Sequence, residues 1–183
     1  MLKPIAVAAT ATVAVIGLAA PALASTLIET DPADTGHGSD LRRVKVDYAP
    51  DALTIVTKHT NLRRDYKSGS SGVVYIDTDP KDKGPEFVVS GGYFVGTDYS
   101  LLSTEGFAPK KWKDHVEGAF EFDIDYKLDK VTTVIPVETL GLDDDAKVRV
   151  AVKVGGTRKD GTSDGLIDWL GDRREFTSWV TPS

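Results

Sequence analysis

The sequence predicts an all-β protein, an antiparallel two-sheet β-sandwich of the jelly-roll or immunoglobulin-like kind with about eight or nine strands. Phe120, Phe122, Ile124, Tyr126 and Leu128 alternate with Glu121, Asp123, Asp125 and Lys127, and Val148, Val150, Val152 and Val154 repeat the pattern opposite Lys147, Arg149 and Lys153. A two-residue period gives each strand one packed and one wet face, the mark of antiparallel sheets. Helical periodicity is nearly absent, which argues against a βαβ arrangement. Two sheets packed face to face follow, with Phe122, Ile124, Val150 and Val152 in or near the core.

Residues 1–24 read as a signal peptide: Lys3, an apolar run from Ile5 to Ala20, the breaker Pro21, and the small-x-small pattern Ala22-Leu23-Ala24 before Ser25. The run nears the length of a membrane helix, but the proline and the cleavage pattern favour removal, and no other stretch could span a bilayer. The expected protein is therefore secreted and extracellular, without membrane insertion of its mature chain. Residues 25–40 are polar and hold Pro32, Gly36 and Gly38, so they read as an extended N-terminal arm before a β-sandwich domain over 41–183.

Within the domain, Val44 to Tyr48 and Leu53 to Thr57 form a hairpin across the Pro50-Asp51 turn. The SGSSG run from Ser68 to Gly72 reads as a mobile loop ahead of Val73 to Ile76, a short buried strand. Phe87 to Val89, Tyr93 to Val95, Tyr99 to Leu102 and Val131 to Val137 supply further strands, with Pro136 marking an edge or a strand end. One helical turn is expected at Glu138 to Leu140.

Composition removes whole classes of chemistry. Cysteine is absent, which excludes disulfides, thiolate metal sites and cysteine nucleophiles. Met1 is the one methionine and would leave with the signal, so soft-metal ligation goes too. With 28 acidic against 22 basic residues the net charge is −6, which argues against a nucleic-acid partner held by a basic surface. The chain carries no G-x-S-x-G, H-E-x-x-H, P-loop or dinucleotide fingerprint. His37, His59 and His115 lie in three separate segments, so no catalytic residue is assigned.

Hard oxygen ligands are abundant. Asp160, Thr162, Asp164 and Asp168 occupy the first, third, fifth and ninth places of an EF-hand-like loop with Gly165 sixth, so Asp160, Asp164 and Asp168 are candidate ligands of a structural calcium. The twelfth place holds Gly171 instead of a bidentate Glu, and the alternative is a loop whose Asp and Gly build turns. The acidic turn Asp77-Thr78-Asp79-Pro80 reads as turn capping. Carbohydrate sites use exposed aromatic platforms, for which Trp112, Trp169 and Trp179 are the candidates, set against core packing near the terminus. One asparagine, Asn61, and no glutamine leave the chain poor in the neutral amides that sugar sites favour.

The segments DPADTGHGSDLRRVKV, IDTDPKDKGPEFVV, VTTVIPVETLG before KVRVAVKV, and DWLGDRREFTSWV resemble small secreted actinobacterial β-sandwich proteins. Their pattern is similar to the family 9 carbohydrate-binding module and DOMON class. That resemblance implies a haem or sugar ligand, and the Met/His haem ligation of the class has no methionine to use here, which leaves the sugar branch. It also implies a structural calcium held by acidic residues of the arm, a position that Asp31 and Asp34 match. The resulting expectation is a secreted non-catalytic binding module for carbohydrate or another cell-envelope ligand. The alternatives are a structural or protein-interaction domain without a small ligand, and a glycoside-type hydrolase.

Overall fold

The structure, a computed structural model, describes residues 24–183; the expected signal peptide lies outside the described residues but for Ala24. Eleven strands run in chain order as β1 (Ser25–Thr30), β2 (Leu41–Tyr48), β3 (Ala52–His59), β4 (Ser70–Asp77), β5 (Phe87–Gly92), β6 (Tyr99–Thr104), β7 (Trp112–His115), β8 (Glu121–Asp125), β9 (Lys130–Pro136), β10 (Arg149–Gly156) and β11 (Ile167–Trp169). They form a five-stranded sheet ordered β1-β2-β3-β9-β8 and a six-stranded sheet ordered β11-β10-β4-β5-β6-β7. Every pairing is antiparallel. The expected all-β sandwich is what the chain builds.

The core lies between the sheets. Val44, Val46, Leu53 and Ile55 of the first sheet meet Val74, Ile76, Val150 and Val152 of the second, all within a few per cent of complete burial. Burying one such side chain is worth about 1.5–3 kcal/mol, and the two-residue period delivers one every second position. Pro136 ends β9, and the expected helical turn follows as α1 (Val137–Leu140), closed by Gly141 in the left-handed region at φ 62°.

Four local expectations are corrected. Regular structure begins at Ser25 instead of Leu41: the arm's first six residues pair along β2, which satisfies backbone groups that a polar sequence does not advertise. Ser70–Gly72 are strand, not mobile loop, paired on both sides with β10 and β5. Tyr93 to Val95 form the turn between β5 and β6, with Val95 exposed. The long alternation at 120–128 yields only β8, because residues 126–129 turn back into β9 and leave Leu128 half exposed. Phe122 and Ile124 sit at the sheet edge, partly buried against the core, whereas Val150 and Val152 are fully buried. Strand β1 and the short strands β7 and β11 raise the count above the expected number.

The SGSSG segment is ordered by a close approach. The Tyr93 ring folds from its turn into the core, 1% exposed, and a Cβ at Gly72 would lie 1.7 Å from its Oη. Glycine is there because the ring occupies a side chain's place. Beside it His59, 2% exposed, meets Tyr93 edge-on at 5.1 Å and shares a 2.8 Å hydrogen bond with the Thr57 hydroxyl. Burial pushes the His59 imidazole down to about 4.

Gly72→Ala is expected to cost about 3 kcal/mol in denaturant unfolding, because the core cannot yield by the required distance. Gly36→Ala, where a Cβ would meet nothing within 4 Å, should change little. His59 adds a pH signature. The unfolded imidazole titrates near 6.5 and the folded one near 4, so the unfolded state binds more protons between those values. This contribution is complete above pH 6.5 and is lost as pH falls towards 4. The melting temperature of His59→Gln should fall less steeply than that of the parent across this window.

Candidate functional site

The outer face of the six-stranded sheet carries a second apolar layer. Residues of β4 alternate: Val74 and Ile76 face the sandwich core, while Val73 and Tyr75 face outward. Strand register sets two outward rows. Ala151, Tyr75, Val88 and Leu102 are directly opposed across β10, β4, β5 and β6, and Trp169, Lys153, Val73, Ser90 and Ser100 are opposed from β11 to β6. Tyr75, Val88 and Ala151 are buried, which on a solvent-side face requires a cover. Phe107 and Phe176, from the segments after β6 and β11, supply it with Trp112 and Trp169. The Tyr75 hydroxyl donates to the Phe107 carbonyl oxygen at 2.9 Å.

The three tryptophans part company here. Trp169 lies parallel to Tyr75, with ring centres 6.1 Å apart and planes at 9°, and Trp112 meets the same ring edge-on at 6.5 Å. Both are half-buried and stand on either side of a cleft of about 210 Å³ floored by Val73 and Tyr75. Past Trp112 the cleft adjoins a shallow hollow of about 470 Å³ over Gly91, Gly92, Ser90 and Ser100. Trp179 is elsewhere, stacked on the Arg149 guanidinium at 4.4 Å. Arg149 also covers Phe176 at 4.6 Å and donates from Nε and a terminal nitrogen to buried Asp77 at 2.8 and 2.6 Å. Trp179 thus belongs to a structural clamp.

Lys153, Arg173 and Arg174 line the cleft with the aromatic rings. Of the cleft's residues, Tyr75, Phe107 and Lys153 escape sequence reasoning. Tyr75 sits in a continuous apolar run, and its outward direction is fixed only by pairing with Ala151 and Val88. The paired arginines of the DRRE turn are the one local signal.

The carboxylates gather differently from the loop expectation. Asp168 is brought to Asp31 and Asp34, with one oxygen of each within 4.8 Å of the others. This is the one group of three metal-capable side chains among the described residues. Asp160 instead accepts from the backbone N–H and hydroxyl of Thr162, a turn contact that lowers its pKa. The Asp164 side chain is exposed, and its carbonyl oxygen accepts from Arg158. Asp160 and Asp164 therefore serve the turn, and Asp168 serves the arm.

Calcium holds oxygens at 2.3–2.6 Å, so two ligands of one ion lie at most about 5 Å apart; the Asp31, Asp34, Asp168 set has that spacing and hard-donor chemistry. Asp168 accepts from the Leu41 and Trp169 backbone N–H groups, both at 2.8 Å, and Asp31 from Gly171 at 2.9 Å. Burial first, then neighbouring acids, raise the pKa of Asp31 and Asp168. Asp40 stands apart, accepting from the backbone of Asp34 and Thr35 and from the Thr60 hydroxyl.

No histidine joins this group. His37 is buried against Ser39 and the Thr157 carbonyl oxygen, each at 3.2 Å, and His115 is exposed on β7. The chain matches no family model and no curated protein.

Asp34→Asn is the informative variant, because that exposed carboxylate spends no side-chain hydrogen bond among the described residues. Removing its charge should raise the calcium-free melting temperature or leave it level. Adding about 10 mM calcium, above the affinity range of weak extracellular sites, should raise the parent's melting temperature by mass action and leave the variant's unchanged. Raised folded pKa values mean that ionised Asp31 and Asp168 cost stability, which is regained as pH falls through the folded value towards the ordinary 3.8. The calcium increment should shrink over that same fall. A flat calcium response in the parent would leave the three aspartates as turn and arm fasteners.

Proposed function

We propose that this protein is a secreted, non-catalytic binding module that takes a saccharide of the cell envelope in the cleft between Trp112 and Trp169. The observation that carries the proposal is the convergence of these two half-buried indoles on Tyr75, on the solvent side of a sheet whose other face is the core. Sugar rings present C–H faces that pack on aromatic planes, while their hydroxyls need donors and acceptors at the rim. Ser90, Ser100 and Lys153 lie in the same outward row and can serve there, which offsets the scarcity of side-chain amides. The resemblance to the family 9 carbohydrate-binding and DOMON sandwiches supports the same reading.

A calcium ion at Asp31, Asp34 and Asp168 fits this function as a structural element. Asp168 precedes Trp169 and accepts its backbone N–H, so an ion there would hold the arm and the strand bearing one wall of the cleft together.

Affinity electrophoresis through gels containing a panel of polysaccharides tests the proposal. Retention by at least one neutral or acidic polysaccharide is expected. Trp112→Ala and Trp169→Ala should each weaken it about tenfold or more, as for a buried aromatic anchor. Trp179→Ala should retain binding if its fold survives, which circular dichroism would check. Equal retention of the parent and both cleft variants would overturn the site. No retention on any gel would favour a structural or protein-interaction domain.

A further inference from the structure

The cleft has an electrostatic character opposite to that of the chain. Overall the protein is acidic at −6, yet Lys153, Arg173 and Arg174 line the cleft and no carboxylate among the described residues does, the nearest acid of the adjoining hollow's lining being Asp98 beyond Trp112. None of the three forms an ion pair among the described residues, whereas Arg149, Lys45 and Lys113 each have a carboxylate partner. Lys153 is half-buried between Trp169 and Val73 on the neighbouring strands. An incoming anion meets this ammonium without a carboxylate to displace.

The turn that presents the arginines separates its charges. Arg174 adopts the left-handed conformation at φ 66°, uncommon for a residue other than glycine, and its guanidinium lies over the Phe107 ring at 5.7 Å. Glu175 is engaged elsewhere, its carboxylate accepting from the Asp172 backbone N–H at 2.7 Å. The guanidinium fork matches a carboxylate in bidentate fashion. Rings flanked by cations suit a ligand that is flat, polyhydroxylated and negatively charged.

We propose that the cleft selects an acidic saccharide, a chain bearing uronate carboxylates, with Trp112 and Trp169 packing on the sugar ring and Lys153, Arg173 and Arg174 reading its charge. This deepens the saccharide reading above and rests on it.

Calorimetric titration of the full chain with an oligogalacturonate and with its methyl-esterified form separates charge from sugar, because both keep the pyranose rings. The acid form should bind about tenfold or more tightly at about 50 mM salt, and that advantage should collapse near 500 mM, where the Debye length shortens to a few ångströms. Arg173→Ala with Arg174→Gly, a replacement that suits the left-handed backbone, should erase the advantage, so that the double variant binds acid and ester with equal affinity. Lys153→Gln provides a second reading should the double variant melt early. Equal affinity for acid and ester would overturn the charge selection while leaving a saccharide site. Displacement of the acid oligomer by inorganic phosphate at matching affinity would reduce the cleft to a simple anion patch. Binding of neither oligomer would overturn the inference, and retention on the polysaccharide gels would then decide the broader reading separately.

Discussion

The second half of strand β4, from Val74 to Asp77, is buried on both faces, and much of the structure's organisation follows from that. The strand's inner residues, Gly72, Val74 and Ile76, complete the core between the sheets, and its outer residues Tyr75 and Asp77 are as deeply enclosed. A sheet face that buries a tyrosine and a carboxylate away from water needs both an apolar cover and a counter-charge. The segment after β6 brings Phe107, whose carbonyl oxygen takes the tyrosine hydroxyl proton in a hydrogen bond. The segment after β11 runs back along β10, with Leu170 donating to Val152 and Thr177 to Val150, and brings Phe176. Arg149 answers Asp77. Two covering segments meet over the sheet without filling the space between Trp112 and Trp169, and the cleft is that space.

Charge is sorted around this cover. The arm's carboxylates gather with Asp168, while Arg173 and Arg174 reach the cleft a few residues farther along. The alternation of β11 separates the two environments by one residue: Asp168 turns to the arm and to the Leu41 backbone, while its neighbour Trp169 turns to the outer face. A bond from the Gly171 N–H to Asp31 fastens the middle of the arm, just past β1, to the start of the arginine-bearing turn. Ordering the arm and ordering one wall of the cleft are thus mechanically linked, which gives a structural role to the residues that hold the arm even where they touch no ligand.

The clamp formed by Asp77, Arg149, Phe176 and Trp179 shows why an aromatic near the terminus need not be a platform. Stacking on a guanidinium that is itself held by a buried carboxylate satisfies the cation and covers the ring. That arrangement lies on the same outer face, beyond Phe107, whose ring centre is 5.3 Å from that of the clamp's Phe176.

The sequence by itself determined the antiparallel sandwich, because a two-residue apolar period encodes which face of a strand is packed, and it determined the chemistry that cysteine and motif content exclude. It also offered Trp112, Trp169 and Trp179 as platforms and Asp160, Asp164 and Asp168 as calcium ligands, and the resemblance added Asp31 and Asp34 of the arm. Where alternation ran past a turn, as at Tyr126 to Leu128, the same signal overreached, since periodicity does not mark where a strand stops pairing. Only the tertiary structure decided that Asp168 joins Asp31 and Asp34 in place of Asp160 and Asp164, that Gly72 yields its volume to Tyr93, and that Tyr75 and Lys153 face outward between two tryptophans. Each of these depends on pairing register and on contacts between residues far apart in the chain. Register and long-range contact are chosen by the packing of whole sheets, so no local run of residues contains them.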